Sequence, residues 1–338
     1  MTALPLSDLV LVRCSPAQAR TAVLNNPPSA PEDRAALLAR ADAQPDDVTT
    51  WALVPASDPE STPLSHCVTY RRRALTPSDE GVAYGLSAVF TPPASRRRGY
   101  ARRMLQLLHY ALAEPARMPP FPSEWGTPPP GPRDGRFSFL HSGIDGAFYA
   151  ACTQGPGGRP GWMPKPPHTR LWNVDPAAPS VPYEPLGPQD VVALQPAYES
   201  ILRAALRPGQ FAVVPDLAAL PRLGAPSVLG GHFGARVPSG WFTYLKLRPG
   251  ADMPWRLTLS AVHGSVPFAV AAAAAAAEGA SVIEYGGEGF TDWDDCGVQI
   301  DSEWPKPCAC VYGGEMEWVA PEMLVVEAVG VPGHWAWY

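Results

Sequence analysis

The stretch GLSAVFTPPASRRRGYARR, residues 85–103, decides how the chain is read. Residues 82–90, VAYGLSAVF, are β-branched and aromatic and predict a strand. A basic loop, TPPASRRRG, follows and leads directly into a helix predicted from about Tyr100 to Ala113. Met104, Leu105, Leu107, Leu108 and Leu112 give that helix one broad apolar stripe. The first N–H groups of a helix have no intrahelical partner and converge on one spot, where the helix field favours an anion. Gly99 allows close backbone approach, and Arg96, Arg97 and Arg98 add positive charge. Ala101 is small enough for a diphosphate to lie against the first turn. No Gly-Lys-Ser/Thr follows, so the loop is not a P-loop, and the glycines of a dinucleotide fingerprint are missing.

Upstream, residues 9–13 (LVLVR) predict an opening strand, and Ser15-Pro16 predict a helix start with Ser15 as N-cap. A second helix is expected over 31–43, and strands over 51–54 and 65–71. Downstream, the proline-rich 115–134 reads as a surface excursion, 137–140 as a strand, and Asp145 as the cap of a short helix carrying Phe148 and Tyr149. This order predicts an α+β fold with a mixed central sheet flanked by helices. A boundary is expected near 175–190, giving domains of 1–175 and 185–338, the second α/β. In the second, a helix is predicted over 189–207, strands over 211–214, 240–247, 255–260 and 281–285, and a buried alanine helix within 266–277.

A length of 338 residues suits two domains, and the 46% apolar content excludes global disorder. The formal charge of -6 argues against a nucleic-acid footprint. Its distribution is uneven: residues 278–338 hold twelve acids and one lysine, net -11, which leaves net +5 on 1–277. The six cysteines are too sparse for a disulfide scaffold, and Cys296, Cys308 and Cys310 lack zinc-knuckle spacing, so no metal is expected. Residues 1–12 have no basic signal-peptide start, and the apolar stretch 266–277 is too short for a bilayer. The expectation is a cytoplasmic protein with no membrane contact, monomeric or a weak homodimer.

The sequence Arg96-Arg97-Arg98-Gly99-Tyr100-Ala101, between a strand and an amphipathic helix, resembles the acetyl-CoA motif of the GNAT N-acetyltransferases. Residues 10–18, 67–75, 84–105 and 137–150 together resemble a fungal group similar to the L-lysine N6-acetyltransferase of yeast lysine degradation. The resemblance implies acetyl-CoA as co-substrate, with its pantetheine arm added to the strand at Ala88, Val89 and Phe90 and its diphosphate on residues 96–101. It implies that Tyr149 protonates the leaving thiolate, with Phe148 beside it and Gly161-Trp162 as the following Gly-aromatic element; a half-buried packing tyrosine is the alternative. The 116–134 stretch departs from the family pattern.

The acceptor is then a small cationic amine, L-lysine first, transferred to directly without an acyl-cysteine. A group must take the amine's proton, and His141 comes before Asp145 as candidate. Residues 284–304, EYGGEGFTDWDDCGVQIDSEW, set Asp292, Asp294, Asp295 and Asp301 among Trp293 and Trp304. Such a cluster can hold an ammonium, or it is a solvated loop with its tryptophans in the core. Arg71 and Arg73 are candidates for an acceptor carboxylate. Protein acetylation and a non-catalytic sensor of acetyl-CoA or amines stand as alternatives.

Overall fold

The computed structural model describes residues 4–25, 33–43, 45–144, 146–165, 169–175, 177, 181–214, 216, 233–247, 254–285, 293, 299–301 and 306–319. The chain opens with β1 (Leu9–Arg13), α1 (Pro16–Asn25), α2 (Asp33–Ala43), β2 (Val48–Pro55), β3 (Ser65–Leu75) and β4 (Glu80–Phe90). It continues through α3 (Tyr100–Leu112), β5 (Gly135–Ser142), α4 (Gly146–Ala150), β6 (Met163–Pro164), β7 (Thr169–Asn173) and β8 (Glu184–Leu186). Next come α5 (Pro188–Ala193), α6 (Gln195–Ala205), β9 (Gln210–Val213), β10 (Gly234–Val237), β11 (Gly240–Leu247) and β12 (Arg256–Gly264). The last described elements are α7 (Phe268–Ala277), β13 (Val282–Tyr285), β14 (Gln299–Asp301), β15 (Lys306–Val311) and β16 (Glu317–Trp318).

The strands form two mixed sheets. The first runs β1-β2-β3-β4-β5-β15-β6, with β9 on β3 and β16 on β9. Neighbours from β1 to β4 are antiparallel, while β4 and β5 are parallel with α3 as crossover. The second runs β14-β7-β13-β12-β11-β10-β8. It repeats the same local plan: antiparallel β11 and β12, then α7 as crossover to the parallel β13. The fold is α+β, as the order of predicted elements implies.

Strand alternation sends side chains to two cores. Trp51, Leu53, Cys67, Tyr84 and Leu86 face Met104, Leu105 and Leu108 of α3. On the opposite face, Ala52 and Val54 pack with Ala19 of α1. Ser15 caps α1 as the sequence predicts, its Oγ accepting the Gln18 N–H at 3.4 Å while the Gln18 side-chain oxygen accepts the Ser15 N–H at 3.1 Å.

Two expectations are revised. The helix predicted over 189–207 is two helices, α5 and α6, because Pro196 sits at the start of the second, where its missing N–H costs nothing. The boundary expected near 175–190 does not follow the sheets: β7 already lies in the second sheet, and β15 returns to pair antiparallel with β5 in the first.

On the buried face of α3, His109 is fully buried, its Nε2–H donating to the Cys152 carbonyl at 2.9 Å. That leaves Nδ1 to accept from the Tyr312 hydroxyl at 3.3 Å, and the ring stacks on Trp162 with centroids 4.2 Å apart. Burial pulls the imidazole pKa from its usual 6.5 down to about 4. Below pH 6.5 the unfolded chain therefore binds more protons than the folded one, and stability falls as pH drops from about 6.5 to 4. This one residue accounts for a loss on the order of 3 kcal/mol across that window. The melting temperature of wild type is expected to fall over this range, with a shallower fall for His109→Gln; equal slopes would remove His109 from the account.

Candidate active site

Where β4 meets β5 the sheet opens. The parallel ladder runs from Val82 to Leu86, whose partner is Leu140, and no described pair continues it. On the other side of β4, His66 pairs with Phe90 and Val68 with Ser87, so Ala88 and Val89 together face Cys67. This is a β-bulge, and Ala88 takes a positive φ of 49° to make it. Such a conformation at a non-glycine residue costs about 1–3 kcal/mol and is found where the surroundings enforce it. Val89 joins the α3 core, and Ala88 lines a cavity on the α1–α2 side.

On the α3 side lies a cleft of about 640 Å³. Its walls bring together Val89, the loop residues Arg96, Arg97 and Gly99, the first turn of α3 at Tyr100 and Ala101, and Tyr149. Gly99 is the N-cap of α3 with φ 79°, and no side chain caps the helix start. A Cβ at Gly99 would meet only the Leu6 side chain, at 3.7 Å, so glycine is required by the backbone angle, and the first-turn N–H groups face open cleft. The Arg96 Nε donates to the Thr91 carbonyl at 3.0 Å and its guanidinium lies 5.7 Å from the Phe90 ring centroid, which fixes the loop on the strand end. Phe90 is buried, and neither it nor Arg98 is among the cleft's walls.

The cleft is also lined by residues not singled out in the sequence, among them Leu6, Thr91, Arg103, Gln106 and Ile144, and by Phe148 beside Tyr149. Arg103 is the most informative. It is 3% exposed, lies 4.8 Å from the Trp125 ring centroid and donates to the Trp125 carbonyl, and its Nε has no partner. The proline-rich segment therefore folds back on α3 through Phe121 and Trp125, which meet Tyr110 edge-on. The repeated positive charge 96–103 was visible in the sequence, but the partner of its last member was not.

Tyr149 projects from α4 into the cleft wall, with Phe148 at 5.2 Å and Trp162 at 6.4 Å between ring centroids. Its hydroxyl makes no hydrogen bond with the described residues. Burial, and behind it the neighbouring Cys308, Cys152 and Cys67, push its pKa up, so the phenol keeps its proton. Cys152 is buried, with its thiol donating to the Phe148 carbonyl at 3.3 Å and its pKa raised to about 12 by desolvation; it is a thiol and no nucleophile.

The remaining candidates separate. His141 is buried on the strand face opposite Leu140, its ring 5.6 Å from Trp318, and lines neither the cleft nor the cavity beside Ala88. Trp293 is 1% exposed in the second core, its Nε1 donating to the Val266 carbonyl at 2.8 Å, so it does not wall an open pocket. Asp145, Asp292, Asp294, Asp295 and Trp304 lie outside the described residues. Arg71 is bound to Asp134 at 2.9 Å and Arg73 to Glu80 and Glu199, which occupies both as carboxylate binders. Among the described residues no His, Cys, Asp and Glu group is placed to hold a metal, and no helix is long and apolar enough to cross a membrane.

No family model matches the chain, and no curated protein is similar to it. Solved structures are. A GCN5-related N-acetyltransferase from Kribbella flavida superposes with a TM-score of 0.55 at 12% identity, over 90% of this chain and 71% of that one. The fold is that of the GCN5-related N-acetyltransferases. A second such protein, from Anabaena variabilis, gives a TM-score of 0.51 at 10% identity, over 90% of this chain and 72% of its own. Saccharomyces cerevisiae N-myristoyltransferase, solved with bound myristoyl-CoA, gives 0.50 at 8% identity, over 94% and 86%.

Proposed function

We propose that the chain is an acyl-CoA-dependent N-acyltransferase, with acetyl-CoA as donor and a small free amine as acceptor. The observation that carries this reading is the opened strand pair, with a basic, uncapped helix start and a protonated phenol lining the same cleft. The neighbour solved with myristoyl-CoA supports an acyl-CoA ligand in this fold. The chain's own groups fit one. The first-turn N–H groups and Arg97 take the diphosphate, and the unpaired edge of Val89 takes the amide-bearing arm. The bound thioester supplies an activated acyl group. Tyr149 holds the proton that the departing sulfur needs. L-lysine as the acceptor is supported by the sequence resemblance; of the residues first assigned to it, Asp292, Asp294, Asp295 and Trp304 lie outside the described residues and Trp293 is in the second core.

The test is acetyl-CoA turnover against free amino acids, polyamines and lysine-containing peptides, with wild type and Gly99→Val. A β-branched residue at φ 79° is strained and places methyl groups where the ligand backbone must approach. The variant is expected to raise KM for acetyl-CoA at least tenfold with fold retained. No turnover of any amine by wild type overturns the reading, and an unchanged KM in the variant overturns the diphosphate site.

A further inference from the structure

Two chain segments frame the open side of the acyl-CoA cleft. One is the loop and first turn of α3, where Arg97 and Arg102 line the cleft and are exposed, with Arg98 half-buried between Arg97 and Gly99. None of these three guanidiniums makes an ion pair with the described residues. Elsewhere exposed arginines are held by carboxylates: Arg20 by Asp42, Arg71 by Asp134 and Arg203 by Glu80. The other segment is a strap, residues 4–8, tied to α3 by the Leu4 N–H, which donates to the Tyr100 hydroxyl at 3.2 Å. Among the described residues four large apolar side chains are exposed, and two of them, Leu4 at 39% and Leu6 at 41%, stand on this strap. Leu6 also lines the cleft. A single exposed leucine is ordinary, but two of them beside an unpaired basic arc at the mouth of a cleft form a surface.

The other charges nearby are already committed. Arg96 donates to the Thr91 carbonyl and Arg103 to that of Trp125. The acids on the strap and the proline-rich segment are Asp8, which accepts from the Ser7 hydroxyl at 3.1 Å, and Glu124, whose charge acts on Arg103. A pantetheine arm ends in phosphate whether a nucleotide or a protein serine carries it. On a nucleotide a diphosphate and a phosphorylated nucleoside follow. On a protein there is a single phosphodiester and then a protein surface. The uncapped start of α3 and Arg97 suffice for one phosphodiester, which leaves Arg98 and Arg102 at the rim beside the leucines. The leucines gain nothing from a phosphate. An amphipathic helix bearing acids and apolar side chains covers both the guanidiniums and the leucines at once.

We propose that the cleft also takes its acyl group from a protein: a small acidic carrier whose serine-linked phosphopantetheine arm enters the cleft while its acidic helix docks on Arg98, Arg102, Leu4 and Leu6. The proposal rests on the acyltransferase reading and deepens it by naming a second class of donor for the same site. The amine lone pair attacks the carrier-bound thioester, the C–N bond forms and the C–S bond breaks. The nitrogen's proton passes to solvent, and the pantetheine thiolate takes the phenolic proton of Tyr149, which solvent restores. The acceptor leaves as an amide and the carrier as a free thiol, so no further reactant is needed. The chain as a whole carries a charge of -6 and repels an acidic protein, so the unpaired arginines mark the place where one can land. Attraction between such exposed groups acts on the rate of encounter and is screened by salt, over a Debye length of about 8 Å at physiological ionic strength.

The experiment measures initial rates with three donors, acetyl-CoA, acetyl-phosphopantetheine and an acetylated acyl carrier protein, and the best amine of the panel as acceptor. Wild type is expected to use the carrier with kcat/KM at least tenfold above that for acetyl-phosphopantetheine, and to lose most of this preference between about 50 and about 300 mM salt. Leu4→Asp, an exposed change at the strap, is expected to cut kcat/KM for the carrier at least tenfold with acetyl-CoA kinetics unchanged. Arg102→Glu is expected to cut the preference for the carrier over acetyl-phosphopantetheine at least tenfold. A carrier used no better than acetyl-phosphopantetheine, or a preference that both variants keep, overturns this proposal and leaves the acyltransferase reading standing. Binding to phosphatidylglycerol vesicles that Leu4→Asp abolishes, with no preference for the carrier, assigns the surface to lipid and overturns it as well. Wild type that transfers from none of the three donors overturns both.

Discussion

Tyr149→Phe is expected to lower kcat by about 10²–10⁴-fold, the range ascribed to a positioned acid or base, with acetyl-CoA affinity nearly unchanged. The change removes one oxygen from a hydroxyl that makes no hydrogen bond with the described residues, so the fold loses little. What is lost is a proton held at the cleft wall by a group whose pKa burial keeps high. Because the phenol stays protonated well into the alkaline range, wild-type activity should show no loss from Tyr149 ionisation near neutral pH. Rapid kinetics under acetyl-CoA saturation separates the effect on kcat from binding. A kcat equal to wild type assigns Tyr149 to packing alone.

Gly161→Ala is expected to be as damaging by a different route. The N–H of Gly161 donates to the Ala150 carbonyl at 2.9 Å, and that of Trp162 to the Tyr149 carbonyl at 3.2 Å. These bonds tie the returning chain to the end of α4. A Cβ at Gly161 would stand 2.3 Å from the Cys152 oxygen and 2.5 Å from that of Tyr149, both backbone atoms. No rotamer change relieves that, so the helix end must move and carry Tyr149 with it. A stability loss of about 3 kcal/mol is expected, within the upper range of single substitutions, together with a fall in kcat. Denaturant unfolding and kinetics check the two parts; unaltered stability shows that the turn has room the geometry does not reveal.

The strand, loop and helix of residues 82–113 were legible because each carries its own local signal: β-branched content, a glycine with basic neighbours, and an apolar stripe. Gly161-Trp162 was legible only through resemblance, since nothing local says that a glycine-rich loop will turn back on α4. β15 was missed. Cys308 and Cys310 alternate into the α3 core with Ala309 on the opposite face, a strand pattern that reads as thiol spacing when attention is on metals. Arg71 and Arg73 looked available because their acids, Asp134 and Glu199, lie far along the chain.

The return of β15 to the first sheet sets a clock on synthesis. β5 ends at Ser142 and its partner strand begins at Lys306. At about 5–20 residues per second, the ribosome takes roughly 8–33 s to cover the 164 residues between these two positions. For that time the nascent first sheet carries an open edge at β5, with Phe137 and Phe139 on it. An edge of this kind pairs readily with other chains. Chaperone capture on ribosomes stalled between residues 145 and 300, and its release once residue 320 has emerged, are the expected signs of that interval.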